Sequence, residues 1–135
     1  MRFLLDTNVI SEAGKARPNP KVLNWLLEHE SACAVPSIAV AERYQGAFGV
    51  EPARRERLLA EVEAFVQAAG ERLLSFDATA AKAWGEYVAR PALRRNPRSY
   101  PDTQIAAIAL SRNLTVVTRN TGDFPEVSTL NPFES

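Results

Sequence analysis

The sequence predicts an α/β protein with three layers, in which helices cover both faces of a central parallel sheet of four to five strands. Three observations lead to this fold class. Apolar segments of strand length alternate with helical segments along the chain, as in βαβ units. The strand segments are nearly continuous apolar runs, as expected for strands buried on both faces. The chain has 135 residues and no long linker, which predicts a single domain over residues 1–135.

Five segments are predicted as strands. The first is an apolar run near the amino terminus, and the fourth, LTVVTRN, is rich in the β-branched residues that favour extended backbone. The fifth is expected only as an edge strand. In chain order, the predicted strands are 2–6, 33–37, 72–76, 114–120 and 127–133.

Five helices are predicted from apolar residues at helical spacing. Ser37 is a candidate N-cap for the second helix. Pro52 and Gly70 mark the start and the end of the third. Asp77 should cap the fourth helix, which Pro91 is expected to bend or break. In chain order, the predicted helices are 21–30, 37–48, 52–69, 78–95 and 102–113, the last preceded by a loop over 96–101.

Composition limits the class of protein. The formal net charge is +0, so attraction to nucleic acid would need a local patch or a bound cation. Cys33 is the only cysteine, which rules out an internal disulfide and favours a reducing compartment. The amino-terminal apolar run is interrupted by Asp6 and Asn8, unlike a signal peptide, and no apolar segment approaches the roughly 20 residues of a membrane helix. A soluble cytoplasmic protein is expected.

Three aspartates occur where the carboxyl ends of parallel strands should bring them together. Asp6 interrupts the end of an apolar strand, where burial of an ionised carboxylate costs several kcal/mol or more without compensation. Asp102 follows a loop and opens a helix, and Asp123 follows a strand within three residues. In open α/β sheets, ligands bind in the crevice at this edge.

Glu42 is a fourth candidate. Helical spacing places Ile38, Gln45, Gly46 and Gly49 on its face, which is partly apolar rather than uniformly charged. The two glycines are expected to permit close approach of another element. A glutamate in such a place should be paired with a cation.

Each aspartate also has a purely structural explanation. Asp6 could bond the backbone amides of its own turn, Asp102 could cap a helix, and Asp123 could be a turn residue. Together, however, Asp6, Glu42, Asp102 and Asp123 would repel one another and take up protons unless a cation were bound. Because the chain has one histidine and one cysteine, zinc is disfavoured, and Mg²⁺ or Mn²⁺ is the expected ion. His29, at a helix end, is expected at the surface.

The motifs that carry these acids resemble those of PIN-domain nucleases, and more closely the VapC-type toxins of bacterial type II toxin–antitoxin pairs, including the FitB-like branch. The resemblance rests on LLDTNVIS, on the glutamate of VAERYQG, and on DTQIAAIAL and TVVTRNTGDF, and it extends to the terminal LNPF. It implies metal-dependent endonucleolytic cleavage of RNA at a Mg²⁺ or Mn²⁺ site. It also implies a homodimer and a cognate antitoxin protein as partner.

The resemblance assigns roles to individual residues. It makes Asp6 and Asp102 the principal metal ligands, while Glu42 and Asp123 complete the acidic pocket directly or through water. Its polar supports are Thr7, Asn8, Thr118 and Asn120.

For RNA, Tyr100 is the best-placed aromatic for base stacking. Four arginines before Asp102 either hold flanking phosphates or are simply solvated: Arg90, Arg94, Arg95 and Arg98.

Two other functions stay open from the sequence alone. LLDTNV is faintly similar to the start of haloacid-dehalogenase phosphohydrolases, but Asn8 replaces their second acid and no lysine follows Lys82. A non-catalytic PIN-like binding module would keep the fold, yet such a module normally loses one or more of the acids that this chain retains.

Overall fold

The computed structural model of the protein describes residues 1–134 and contains an all-parallel five-stranded sheet with the order β3-β2-β1-β4-β5. The predicted fold class is therefore confirmed, including the edge strand, although each strand is shorter than predicted. That residues 1–135 form one domain stays a prediction, and residue 135 lies outside the described residues. The strands are β1 (Phe3–Leu5), β2 (Cys33–Pro36), β3 (Leu73–Leu74), β4 (Thr115–Val117) and β5 (Thr129–Leu130).

The helices follow the predicted order with one addition at the start. A helix of seven residues directly after β1 was not predicted, because it opens with polar residues and is too short to show a helical repeat. The break at Pro91 is confirmed, since a new helix begins there. The helices are α1 (Thr7–Ala13), α2 (Pro20–His29), α3 (Ser37–Phe48), α4 (Pro52–Ala69), α5 (Ala78–Val88), α6 (Pro91–Arg95) and α7 (Tyr100–Arg112).

The predicted helix caps are confirmed at two positions and wrong at a third. Gly70 follows α4 with a φ of 52° and donates its N–H to the Val66 carbonyl, so the chain turns there as only glycine does easily. The Asp77 carboxylate accepts the Ala80 N–H at 2.9 Å. Ser37, however, is already helical, and its hydroxyl accepts the Phe76 N–H at 3.3 Å instead of capping α3.

Alternate residues of β1 serve two separate cores. Leu4 packs on one face with residues from α5, α6 and α7, such as Tyr87 and Ile105. Phe3 and Leu5 point to the opposite face, where residues of α1, α2 and the end of α4 cover them. This alternation follows from the two-residue period of a strand and produces the three predicted layers.

Next to the second core lies the imidazole of His29, contrary to the expectation of a plain surface residue. Its ring stacks on Trp25 with centroids 4.4 Å apart and meets the edge of Phe3 at 5.5 Å. The His29 Nδ1 lies 2.8 Å from the Trp25 carbonyl oxygen. The helix-end position is as predicted, but aromatic packing half-buries the side chain.

The strand order places a topological switch point between β1 and β4. From β1 the chain adds β2 and then β3 on one side, and it returns to place β4 and β5 on the other. The loops after β1 and β4 therefore leave the sheet in opposite directions and open a crevice at its carboxyl edge. Among the described helices, none combines the length and apolar character needed to cross a bilayer.

Removing the Leu4 side chain tests the central position of β1. Leu4 is 0% exposed, so Leu4→Ala should lower the free energy of unfolding by about 2–5 kcal/mol through lost burial and a residual cavity. Leu27→Ala is the matched control, because Leu27 is 76% exposed and should cost less than about 0.5 kcal/mol. Urea unfolding monitored by circular dichroism measures both, and equal losses would contradict the assigned core.

Candidate active site

Asp6 is the buried centre of the candidate site. It directly follows β1 and is 6% exposed. Its Oδ1 accepts the Thr7 N–H at 2.8 Å, which makes Asp6 the N-cap of α1. The structural explanation of Asp6 is thus correct, yet it uses only one of the two carboxylate oxygens.

The other oxygen of Asp6 is held by Thr118, which follows β4 and is 0% exposed. The Thr118 hydroxyl donates to Asp6 Oδ2 at 2.8 Å. The same oxygen of Thr118 accepts from Asn8 Nδ2 at 3.3 Å and from the Asn120 N–H at 3.0 Å. A hydroxyl has one donor and two acceptor sites, so the hydrogen-bonding capacity of Thr118 is filled.

Asn8 joins the two strands across the switch point. Its Nδ2 donates to Asp6 Oδ2 at 3.2 Å, and its Oδ1 accepts the Arg119 N–H at 3.2 Å. The side chain therefore connects α1, which follows β1, with the segment that follows β4. All four predicted polar supports consequently bond Asp6 or Thr118 through an amide or hydroxyl of their side chains or backbone: Thr7, Asn8, Thr118 and Asn120.

Glu42 reaches the same place from α3. The Thr7 hydroxyl donates to Glu42 Oε1 at 2.7 Å, so Thr7 contacts Asp6 through its backbone and Glu42 through its side chain. Within residues 1–134 no lysine, arginine or histidine pairs with Glu42, so the cation expected beside it is not a protein side chain and its presence stays a prediction. The expected close approach of another element at the two glycines is also wrong. A Cβ added to Gly46 would meet nothing within 4 Å, and one added to Gly49 would meet only carbonyl oxygens of α3 itself, those of Gln45 at 3.2 Å and Gly46 at 3.8 Å.

Asp102 is not the cap of its helix. α7 begins two residues earlier, and the Ser99 hydroxyl caps it by accepting the Asp102 N–H at 3.3 Å. Because Ser99 fills the cap position, the half-buried carboxylate of Asp102 is not required to cap the first turn of α7. The negative charge of Asp102 is also stabilised at this position, because the positive end of the α7 dipole lies there.

Asp123 sits in a short 3₁₀ turn, Thr121–Asp123, after β4. Arg98 ties this turn to the segment before α7, donating to the Gly122 carbonyl at 3.1 Å and to the Asn96 carbonyl at 2.6 Å. Arg98 therefore acts on protein carbonyls rather than standing free. The turn explanation of Asp123 holds for its backbone, while its half-buried side chain faces the crevice described next.

All four predicted acids line one cleft of about 490 Å³ at the switch point. Thr7, Asn8 and Asn120 also line it, and Thr118 lies behind Asp6. Residues from four distant parts of the chain thus meet in one place. Asp77, the aspartate that caps α5, lies outside the cleft, with its carboxylate 3.6 Å from the guanidinium of Arg112 at the other end of α7.

The acids in the cleft interact electrostatically. Burial is the main cause that raises the pKa of Asp6, and the charges of Glu42 and Asp123 raise it further, against the hydrogen bonds from Thr118 and Thr7. The pKa of Asp102 is also raised, mainly by burial and further by the charges of Asp6, Asp123 and Glu42, against a hydrogen bond from the Ser99 side chain. Within residues 1–134, none of these four carboxylates has a lysine, arginine or histidine nitrogen within 4.0 Å. Their charges therefore lack a protein counterion.

The donor atoms in the cleft suit a divalent cation in kind, but they are too far apart to surround one completely. The cleft offers carboxylate, hydroxyl and amide oxygens, which Mg²⁺ and Mn²⁺ prefer. In the part of the chain that the structure describes, however, no three His, Cys, Asp or Glu side chains lie close enough to enclose an ion. An ion bound here would therefore keep several water ligands, as Mg²⁺ commonly does.

Sequence reasoning missed a fifth acid in the cleft, Glu12. Glu12 is buried, accepts from Lys15 Nζ at 2.9 Å and accepts the Asn19 N–H at 2.9 Å. These two bonds lower its pKa. Had α1 been predicted, the spacing of four residues from Asn8 would have placed Glu12 on the same helix face. Unlike the other four acids, Glu12 already has a cationic partner.

Of the four arginines before Asp102, two are engaged within the protein. Arg90 pairs with Glu86 at 2.8 Å and with Glu126 at 3.4 Å, and Arg98 holds the turn of Asp123. Arg94 and Arg95 are exposed. Tyr100 is 58% exposed, and its ring meets the edge of Trp84 at 5.6 Å, so one aromatic surface is open to solvent beside the cleft.

Comparison with known proteins identifies related chains over nearly the full length. Residues 3–130 match the PIN domain family. The plasmid stability protein StbB of Pseudomonas syringae pv. tomato is 36% identical, with 98% of this chain and 99% of that protein aligned. The VapC ribonuclease Y4jK of Sinorhizobium fredii is 31% identical over 98% of both chains. The toxin FitB of Neisseria gonorrhoeae is 33% identical over 97% of this chain and 98% of that protein.

Solved structures share the same fold. FitAcB from Neisseria gonorrhoeae superposes with a TM-score of 0.89 and 30% identity, covering 98% of this chain and 99% of that one. DNA-bound VapBC from Salmonella typhimurium superposes with a TM-score of 0.80 and 29% identity, covering 98% of both chains. The arrangement of the sheet and helices described above is therefore found in experimentally determined relatives.

The crowding of carboxylates predicts a pH dependence of stability in the metal-free protein. A carboxyl whose folded-state pKa lies above its ordinary value of 3.8 adds stability at low pH, and this stability is lost as the pH rises through the raised value. Wild type should therefore gain stability relative to Asp6→Asn as the pH falls from about 7 toward about 4. The difference between their unfolding free energies in urea measures this, and a difference independent of pH would contradict it.

Proposed function

Because this chain belongs to the PIN-domain family, in the group of the VapC and FitB toxins, we propose that it is a metal-dependent endoribonuclease and the toxin of a toxin–antitoxin pair. The observation that carries the proposal is the convergence of Asp6, Glu42, Asp102 and Asp123 on one cleft without a protein counterion. Four uncompensated carboxylates cost stability, which a site for a cation and a reacting phosphate explains.

We propose Mg²⁺ or Mn²⁺ as the cofactor, with Asp6 and Asp102 as its principal ligands and Glu42 and Asp123 completing the site through water. When bound, such an ion lowers the pKa of water and stabilises negative charge on phosphoryl oxygens. Burial is the main cause that raises the pKa values of Asp6 and Asp102, and the surrounding acids raise them further, so a cation bound by these two carboxylates would offset both costs.

The remaining residues would hold the acids in place before substrate arrives. Thr118 and Asn8 fix Oδ2 of Asp6, the Thr7 amide fixes Oδ1, and the Thr7 hydroxyl fixes Glu42. Since these donors belong to buried or helix-bound groups, the carboxylates need little rearrangement on binding. Such prior organisation of a charged site is the protein's main contribution to phosphodiester hydrolysis.

RNA is the proposed substrate, and a cognate antitoxin is the proposed partner. The ribonuclease named among the relatives favours RNA. Resemblance to the VapC-type toxins favours a homodimer that an antitoxin binds and inactivates. Such an activity would operate in the cytoplasm, where both RNA and antitoxin are made. Membership of the PIN-domain family leaves the haloacid-dehalogenase alternative without support, and the binding-module alternative is an outcome of the experiment below.

Replacement of single acids tests the reaction. Asp6→Asn and Asp102→Asn should each lower RNA cleavage by about two orders of magnitude or more, because each removes a proposed ligand while keeping the size of the side chain. Asp77→Asn is the control, since its carboxylate caps α5 away from the cleft. The rate at which each purified variant cleaves a mixed single-stranded RNA in the presence of Mn²⁺ measures the effect.

Two results would contradict the proposal for the cleft. Equal losses at all three positions would show that general damage, rather than the site, lowers activity. No cleavage by folded wild type, in the presence of Mn²⁺ and absence of antitoxin, would favour a non-catalytic binding module instead.

Metal binding is tested separately from cleavage. Mn²⁺ that binds only the folded state should raise the melting temperature of wild type in proportion to the logarithm of its concentration. Asp102→Asn should lose most of this shift, whereas Asp77→Asn should keep it. Differential scanning calorimetry measures all three, and an equal shift in each protein would place the ion elsewhere.

A further inference from the structure

Two cations line the acidic cleft, Lys15 and Arg119, and they differ in how they are engaged. The ammonium group of Lys15 is paired with Glu12 at 2.9 Å. The guanidinium of Arg119 has no carboxylate within 4.0 Å among residues 1–134 and makes no side-chain hydrogen bond there. An exposed arginine beside four carboxylates would be expected to pair with one of them. Something else must hold it away.

Phe133 holds Arg119 at the rim of the cleft. The Arg119 Cζ lies 4.7 Å from the centroid of the Phe133 ring, and Phe133 itself lines the cleft. A cation–π contact attracts the charge of the guanidinium to the ring without using its N–H groups as hydrogen-bond donors. The contact therefore positions the charge while keeping its hydrogen-bonding edge available to a ligand.

The backbone of Arg119 is fixed on both sides. Its N–H donates to Asn8 Oδ1 at 3.2 Å, and its carbonyl accepts from Asn131 Nδ2 at 3.3 Å. The Oδ1 of Asn131 accepts the Phe133 N–H at 2.9 Å, so one asparagine sets both the arginine and the ring on which it stacks. Two residues of the segment after β5, Asn131 and Phe133, thus contact Arg119 directly.

We propose that Arg119 binds a phosphate of the RNA chain next to the cleaved bond, and that Phe133 and Asn131 are positioning residues for it. This inference rests on the ribonuclease function proposed above. Four carboxylates repel a polyanion, a single divalent ion offsets only part of their charge, and the net charge of +0 supplies no general attraction. The planar guanidinium fork matches two phosphate oxygens at once, which makes arginine suited to this role.

Steady-state cleavage of RNA by Arg119 variants tests the binding role. Arg119→Ala should raise KM by about 10- to 100-fold with a smaller change in kcat, the loss expected for one charged hydrogen-bonding pair. Arg119→Lys should recover part of the loss, because it restores charge without the fork. Arg112→Ala is the matched control, since Arg112 is a partly exposed arginine at the opposite end of α7 and should leave KM unchanged. A KM for Arg119→Ala equal to that of Arg112→Ala would overturn the proposal.

Salt dependence gives a readout that a merely structural role would not change. RNA binding is measured by fluorescence anisotropy in the Asp102→Asn background, so that the RNA stays intact. Adding Arg119→Ala should reduce the slope of log K against log salt by about 0.7, the value for one phosphate contact on a single strand. An unchanged slope would show that Arg119 does not contact phosphate.

A double-mutant cycle tests the positioning role of Phe133. Phe133→Leu keeps an apolar side chain but removes the aromatic face, so it should raise KM in the wild-type background and have little effect when Arg119 is alanine. An equal effect in both backgrounds would overturn the positioning role. Absence of cleavage by the wild-type protein would instead overturn the ribonuclease function, so failure of the proposed function and failure of the Arg119 proposal give different results.

Discussion

A buried hydrogen bond between Thr118 and Asp6 is the interaction on which the candidate site depends. The hydroxyl at the end of β4 donates to a carboxylate at the end of β1 at 2.8 Å, and both groups are nearly inaccessible to solvent. A buried charge without such donors would be strongly destabilising. Because β1 and β4 are adjacent and in register up to Leu5 and Val117, the residues that follow them are necessarily neighbours. The sheet thus places this carboxylate where it is both buried and hydrogen-bonded.

The other acids are placed by elements that begin at the same edge of the sheet. α3 brings Glu42 to Thr7, and the cap provided by Ser99 releases Asp102 from the backbone. Arg98 anchors the turn that carries Asp123. In each case a neutral or cationic neighbour bonds the backbone or a single oxygen and leaves negative charge facing the cleft. The fold therefore accepts local repulsion in exchange for a site with strong negative potential, which is the usual compromise between stability and function.

Much of this arrangement was predictable from the chain alone, and the failures have identifiable physical causes. Asp6 and Asp123 were found because one interrupts and the other follows a predicted strand, and Asp102 was found because it opens a predicted helix after a loop. The rule that ligands bind at the carboxyl edge of the sheet joined them. α1 was missed because seven residues cannot display a helical repeat, and Glu12 was missed with it. The glycines near Glu42 led to a wrong prediction of close packing, because the absence of a side chain does not reveal whether another element occupies the space beside it. The contact of Arg119 with Phe133 depends on the pairing of β4 with β5, which no local pattern encodes.

The separation of the two bonded residues along the chain has a consequence during synthesis. Thr118 and Asp6 are 112 positions apart, so during synthesis the carboxylate lacks its hydroxyl partner until Thr118 has been added. Until then, β1 lacks the neighbour that completes the cleft. The cleft, and any activity that depends on it, would accordingly form only after Thr118 has left the ribosome.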